Sequence, residues 1–349
     1  MAIPLVAGAQ ARGVIHRIEV PGPSLAGNRL GDSPTRLASV YLPPSYSTHP
    51  RRRYPVLYLL HGFGADDRAF IAGAYQNLDI RISMDSLVRA GLVHEMIIVT
   101  PNVRNRFDGS FYSNSPTTGK WEDFIVRDLI PFVDSHYRTI PRRDARGVAG
   151  HSMGGFGALE LAARHPETFS AVYAMSPYGL GKDDAFAPST RRAWMAALAM
   201  RDTSDIKKAG FNANLLTALT ALSSPDTTRP PFFVRFPYRL DSGALVPDSA
   251  VIAKWRSPMS ELVARAGAFR RESVAFDAGD ADGFPEIPVN VRKLDLLLDS
   301  LSVQHTAEVY HGTHGSRIRA RMESLVLPFF SRALHRSAQS LGRYQSVGL

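Results

Sequence analysis

Gly150-His151-Ser152-Met153-Gly154-Gly155 fits the pattern G-x-S-x-G, and its flanks decide the reading. Arg146-Gly147-Val148-Ala149 ahead of it reads as a short apolar strand. Phe156-Gly157-Ala158-Leu159-Glu160-Leu161-Ala162-Ala163 behind it reads as a helix. Strand, sharp turn and helix around a serine make a nucleophile elbow, in which strained backbone exposes the hydroxyl at the end of a sheet. The glycines at 150 and 154 remove Cβ atoms where the strand and helix crowd the turn.

Working outward, short Val/Ile/Leu/Tyr runs alternate with helical patterns. Predicted strands are Leu37–Leu42, Pro55–Leu60, Met96–Thr100, Gly147–Gly150, Ala171–Met175, Ser273–Asp277 and Thr306–Tyr310. Several are continuously apolar, as expected for strands covered on both faces. The helices between them imply right-handed crossovers and a mostly parallel sheet. One helix near Glu122–His136 places Ile125, Leu129, Phe132 and Val133 on one face, with a kink expected at Pro131. Others lie near Val289–Leu301 and Arg317–Leu334.

From about 180 to 272 the rhythm breaks, and an inserted cap over the catalytic edge is expected there. Its aromatic run Phe232-Phe233-Val234-Arg235-Phe236-Pro237-Tyr238 reads equally as packing or as a substrate wall. The expected organisation is an N-terminal arm or export-signal remnant over 1–30, an α/β domain over 31–335, and a tail over 336–349.

Composition narrows the chemistry. The chain has 349 residues and no cysteine, which excludes disulfides, thiol catalysis and Cys-based zinc sites. The net charge of +9 comes from arginines spread along the chain. Arg51-Arg52-Arg53, the densest run, reads as a solvated loop, so nucleic acid is not an expected partner. No apolar stretch approaches a membrane span. Ala2 to Ala11 is apolar and ends in Ala9-Gln10-Ala11, which resembles a signal cleavage site without the usual basic lead. A secreted or periplasmic location is expected on that basis, with the cytoplasm as the alternative.

A serine hydroxyl needs a base, and in this architecture the order is Ser, then Asp or Glu, then His. The loop Tyr310-His311-Gly312-Thr313-His314-Gly315 follows the last strand, where the base belongs. His314 is preferred, because Gly312 frees the turn to aim it, and His311 competes. His165, His305 and His335 fall at a helix end, a strand start and an amphipathic helix. The acid is expected one strand earlier, in Asp277-Ala278-Gly279-Asp280-Ala281-Asp282-Gly283. Asp282 is preferred, Asp280 is second, and Asp277 is expected to pair locally. The oxyanion hole needs two backbone amides, from Met153 after the nucleophile and from Phe63 in His61-Gly62-Phe63-Gly64. That loop is not a dinucleotide fingerprint, since Asp67 replaces the third glycine and repels phosphate. Neither a Walker A motif nor H-E-x-x-H occurs, so no metal is expected.

These residues resemble the esterase D-like branch of α/β hydrolases, which includes S-formylglutathione hydrolases, feruloyl and acetyl xylan esterases, and mycobacterial mycolyltransferases. The matching segments are Tyr54 to Gly62, Trp121-Glu122-Asp123-Phe124, Gly150 to Gly157, His165-Pro166-Glu167-Thr168-Phe169, Gly279-x-x-Asp282 and Gly312-x-His314. The resemblance implies an α/β-hydrolase fold and a Ser152–His314–Asp282 triad with Phe63 and Met153 amides as oxyanion hole. It implies no cofactor. His61, Trp121 and His151 are expected beside the substrate, and Asp108 to Ser115 beside the acyl pocket. Relatives often carry Gly-Gly-His and then an aromatic; here Gly312-Thr313-His314 precedes Gly315-Ser316-Arg317. The expected activity is hydrolysis of a small-molecule or polymer-linked carboxylic ester through an acyl-enzyme. An acyltransferase with the same triad and a non-catalytic binding module are the alternatives, and a homodimer is left open.

Overall fold

A computed structural model describes residues 12–344, with side chains to residue 335. Its centre is an eight-stranded sheet: β1 (Val14–Val20), β2 (Arg36–Leu42), β3 (Val56–Leu60), β4 (Ile97–Pro101), β5 (Arg146–His151), β6 (Ala171–Met175), β7 (Ser273–Gly279) and β8 (Thr306–Tyr310). The spatial order is β1-β2-β4-β3-β5-β6-β7-β8. β1, β2 and β4 pair antiparallel, and every pairing from β4 through β3 to β8 is parallel. This is the α/β-hydrolase arrangement the strand pattern predicts.

β3 shows why such strands read as unbroken apolar runs. Successive side chains of a strand point to opposite faces. Val56, Tyr58 and Leu60 enter one core cluster, and Leu57 and Leu59 enter the other. Both faces are covered by helices, so all five residues are buried. Parallel register also aligns the functional ends: Leu60 lies opposite Gly150, and His151 opposite Met175.

The helices that position the site are α1 (Ile80–Arg89), α2 (Ile130–His136), α3 (Met153–Arg164), α4 (Arg191–Ala199), α5 (Phe211–Ser223), α6 (Glu286–Ser300) and α7 (Leu327–Tyr344). Ahead of α2 the chain makes π-helical turns over Phe124–Leu129. The widened turn precedes Pro131, whose missing N–H disrupts an ordinary helical ladder. The insertion between β6 and β7 is a helical layer carrying α4, α5 and a two-stranded ribbon, Tyr238–Asp241 with Ala244–Pro247. Its aromatic run serves packing. Phe236 and Tyr238 stack around Trp194, and Phe232 packs on Phe107 and Phe236.

Two boundaries differ from expectation. Residues 14–20, assigned to an arm, form the edge strand β1. Of that strand only Val20 is buried, so it carries little apolar signal. Arg17 holds it to the domain by donating Nε and Nη2 to Asp67, which also accepts from Ser39. Residues 336–344, assigned to a tail, continue α7. That stretch has no proline and a single glycine, Gly342, so nothing stops the helix. The predicted signal stretch, residues 2–11, lies outside the described residues. In the arginine run, Arg52 pairs with Glu95 and Arg53 donates to the Thr139 carbonyl. No helix among the described residues is long and apolar enough to cross a membrane.

Candidate active site

Ser152 sits at the junction of β5 and α3 with φ 58° and ψ −118°. A β-carbon disfavours positive φ, so this conformation persists only where its surroundings impose it. Here they do. Ser152 N donates to the Met175 carbonyl at 2.9 Å, and the Ser152 carbonyl accepts from Phe156 N at 3.0 Å and Tyr178 N at 3.2 Å. A β-carbon at Gly150 would overlap the Gly154 backbone, and one at Gly154 would overlap the Leu60 carbonyl. Glycine at both positions is therefore a packing requirement of the elbow.

The hydroxyl faces an imidazole. Ser152 Oγ lies 2.9 Å from His314 Nε2, and His314 Nδ1 lies 2.8 Å from Asp282 Oδ2. An ionised carboxylate only accepts, so Nδ1 carries the proton and Nε2 is free to accept from the serine. Asp282 is fully buried and also accepts from Phe284 N at 2.9 Å, while the His314 side chain is 22% exposed.

The competing pair lies apart from the serine. His311 is 87% exposed, and its Nδ1 stands 3.3 Å from Asp280 Oδ2. Asp280 also accepts from Gly312 N at 3.1 Å, which braces the base loop. The neighbouring loops thus hold two His–Asp pairs, and one of them reaches Ser152. Asp277 is buried on Arg321 Nε and the Tyr173 hydroxyl, partners distant in sequence rather than the local pairing expected of it.

The turn carrying Phe63 borders the serine, since a β-carbon at Gly62 would stand 3.4 Å from Ser152 Cβ. Met153 is the first residue of α3, where an amide has no acceptor within the helix and carries the positive end of its dipole. Phe63 lies in a turn fixed by Ala65 N on the Gly62 carbonyl and Gly64 N on the Asp108 carbonyl. Among the described residues neither the Phe63 nor the Met153 amide has an acceptor.

Three residues expected beside the substrate have other duties. His61 is fully buried; it donates Nδ1–H to the Gly62 carbonyl and accepts from Val103 N at Nε2. Burial pushes it down to about 4, so it is a neutral brace of the Gly62–Gly64 turn. Trp121 is also fully buried, donates to the Thr118 carbonyl and packs edge-on against Phe124, so it belongs to the core. His151 is buried with its Nε2–H on the His314 carbonyl at 2.8 Å. Desolvation, then the neighbouring His314, push it down to about 3. The segment from Asp108 to Ser115 lies against the Gly62–Gly64 turn, and the Asp108 carbonyl accepts from Gly64 N. Tyr112 donates to the His61 carbonyl, and Phe111 packs near Phe63.

Sequence reasoning missed the aromatic rim. The Phe284 ring stands edge-on to His314 at 5.1 Å and to Tyr178 at 4.8 Å. Phe211, at the start of α5, meets Phe63 at 5.4 Å and Phe284 at 6.5 Å. A cavity of about 170 Å³ lined by Tyr178, Leu215, Leu216 and Phe284 adjoins this rim. Tyr75 Oη accepts from Gly62 N at 2.9 Å. Position two after Asp282 was the one local hint, for Phe284; the others meet only through folding. Elsewhere, Asp295, Asp299 and His305 place possible ligand atoms within 4.8 Å of one another. His305 already uses Nε2 on Asp295 and Nδ1 on the Val303 carbonyl, which makes this a hydrogen-bonded helix flank.

The Esterase family model, described as "Putative esterase", matches residues 29–318. The chain belongs to that family. Two curated esterases of Mycobacterium tuberculosis are each 36% identical over 150 residues, 42% of this chain. The match spans 30% of the length of those relatives. Among solved structures, a ferulic acid esterase superposes with a TM-score of 0.62 at 23% identity, covering 93% of this chain and 99% of that one. An S-formylglutathione hydrolase from Agrobacterium tumefaciens does so with a TM-score of 0.59 at 18% identity, covering 93% and 97%. At these identities the superpositions show the shared α/β-hydrolase fold.

Proposed function

We propose that this member of the Esterase family is a serine carboxylic-ester hydrolase. The observation that carries the reading is the continuous hydrogen-bonded line from Ser152 Oγ through His314 to buried Asp282. Ser152 Oγ attacks the ester carbonyl while His314 Nε2 takes its proton. Charge developing on the carbonyl oxygen is met by the Phe63 and Met153 amides, and one such donor is typically worth about 3 kcal/mol of barrier. His314 then protonates the leaving alcohol, and an acyl-serine remains. Water enters, gives a proton to His314 and releases the acid, restoring Ser152. Asp282 holds the tautomer throughout and stabilises the imidazolium.

Transfer to another alcohol would use the same groups. Hydrolysis is favoured because His314 is partly open to solvent, so water reaches the base. The deciding experiment is hydrolysis of p-nitrophenyl acetate by the wild type and Ser152→Ala, with labelling of Ser152 by a fluorophosphonate probe. Turnover and labelling that both vanish with the hydroxyl support the assignment. Equal rates in the two proteins would remove it, and an unlabelled wild type would favour a binding module.

A further inference from the structure

Beyond the triad, a groove of about 750 Å³ opens beside the oxyanion turn. It begins at Gly64, next to the Phe63 amide, and runs between the segment after β4 and the start of α5. Phe211, 52% exposed, lines it and stands against the Phe63 ring. Its charged lining groups are mostly basic. Arg104, Arg106 and Lys207 face one carboxylate, Asp108.

That carboxylate is already occupied. Asp108 accepts from Arg104 Nη2 at 2.6 Å and from Asn214 Nδ2 at 2.9 Å. Among the described residues Lys207 makes no ion pair, and Arg106 has Asp32 as its nearby opposite charge without a salt bridge to it. Asp32, the nearby acid, meets the Arg106 backbone amide at 3.3 Å. The groove therefore holds excess positive charge. Asn214, 4% exposed, spends its amide N–H on Asp108 and so fixes that carboxylate in the wall. The cavity under Phe284 on the other side is smaller and carries acids, Asp184 and Glu286.

We propose that the basic groove is a subsite for an anionic end of the ester, a carboxylate or phosphate held by Arg106 and Lys207, with the adjoining chain laid on Phe211. This inference rests on the ester-hydrolase reading, because the groove matters to catalysis only if the carbonyl sits at the Phe63 amide. A cleft lined by one sign of charge concentrates oppositely charged ligands, and salt weakens that effect. The substrate class follows: esters carrying a negative charge on either the acyl or the alcohol half.

The test compares kcat/KM within each protein for matched pairs of esters. One pair carries the anion on the leaving group (p-acetoxybenzoate against its methyl ester). The other carries it on the acyl group (p-nitrophenyl hemisuccinate against p-nitrophenyl pentanoate). The wild type should prefer at least one anionic ester by about tenfold, chiefly through KM, and the preference should shrink in high salt. The double variant Arg106→Glu/Lys207→Glu should bring that ratio to unity or below. No anionic preference in the wild type, or a preference that charge reversal leaves intact, overturns the proposal. A readout free of turnover separates this from failure of the esterase reading. Binding of p-acetamidobenzoate and p-acetamidobenzamide to Ser152→Ala is followed by titration calorimetry. Tighter binding of the anion, lost on charge reversal, supports the groove even if no ester is cleaved; equal binding within this pair and within the acyl-side pair N-(4-nitrophenyl)succinamate and N-(4-nitrophenyl)pentanamide overturns it even in an active esterase.

Discussion

His151 donates its Nε2–H to the backbone carbonyl of His314 at 2.8 Å, so the residue preceding Ser152 holds the imidazole that faces the Ser152 hydroxyl. The two rings lie 4.7 Å apart, and Tyr75 stands edge-on to His151 at 5.2 Å. Low basicity keeps His151 neutral, which suits a group between the elbow and the base loop: a second cation there would oppose protonation of His314.

This link predicts a positioning effect. His151→Phe keeps a planar ring and loses the donor, so His314 is free to drift. A displacement of about 1 Å at a reacting group can cost about a hundredfold. The expected outcome is a fall in kcat of about ten- to a hundredfold with KM little changed. His151→Gln, which can still donate, should recover part of it. A loss carried by KM, or no recovery in the glutamine variant, would show that the contact does not aim the base.

The two His–Asp pairs make a matched comparison. Asp282→Asn should lower kcat by about a factor of ten thousand, because an amide favours the wrong imidazole tautomer. Asp280→Asn keeps an acceptor for Gly312 N and touches an imidazole that is 87% exposed, so kcat should stay within about twofold. Steady-state kinetics with one activated ester decide between them. Comparable losses would mean that both loops act as one unit.

The elbow's glycines are tested through stability. Gly154→Ala places a methyl against the Leu60 carbonyl, which belongs to the central strand β3 and cannot move alone. Overpacking of this kind costs about 1–3 kcal/mol, more where backbone is the obstacle. Thermal unfolding should show a clear drop in Tm, or the variant should fail to accumulate as folded protein. An unchanged Tm would contradict the crowding of the turn.

Glu272 gives stability a pH dependence. Neither of its carboxylate oxygens has a hydrogen-bond partner, and desolvation pushes it up to about 8 from an ordinary 4.5. The positive charge of Arg143 opposes that shift without cancelling it. The folded protein thus prefers the protonated acid. Its contribution is fully present below about 4.5 and is lost as pH rises through about 8. Tm should therefore decline across that window, and Glu272→Gln, neutral throughout, should flatten the decline. Parallel profiles for the two proteins would locate the titration elsewhere.

The order of chemistry along the chain was legible because it depends on short-range rules. Continuous apolar runs such as Val56–Leu60 mark strands buried on both faces. Gly150 and Gly154 mark the turn through their lack of a β-carbon, and the loop after each strand marks where a base or acid can stand. Those rules pointed to residues 152, 282 and 314 and left 280 and 311 as competitors. Local pattern does not encode which imidazole crosses to the serine. That is decided by how the loops after β7 and β8 lie side by side, with Asp280 spent on Gly312 N and His311 turned to solvent. The same limit explains His61 and Trp121, whose motif positions suggested substrate contact while packing buried both. It also explains β1, which is held by pairing to β2 and by Arg17 on Asp67 rather than by an apolar face of its own. The chain by itself determined its strands, its elbow and the succession serine, acid, base, because those follow from neighbouring residues. Only the tertiary structure decided which acid and base meet the serine, which aromatics rim it and where the basic groove opens, because those are contacts between segments far apart in sequence.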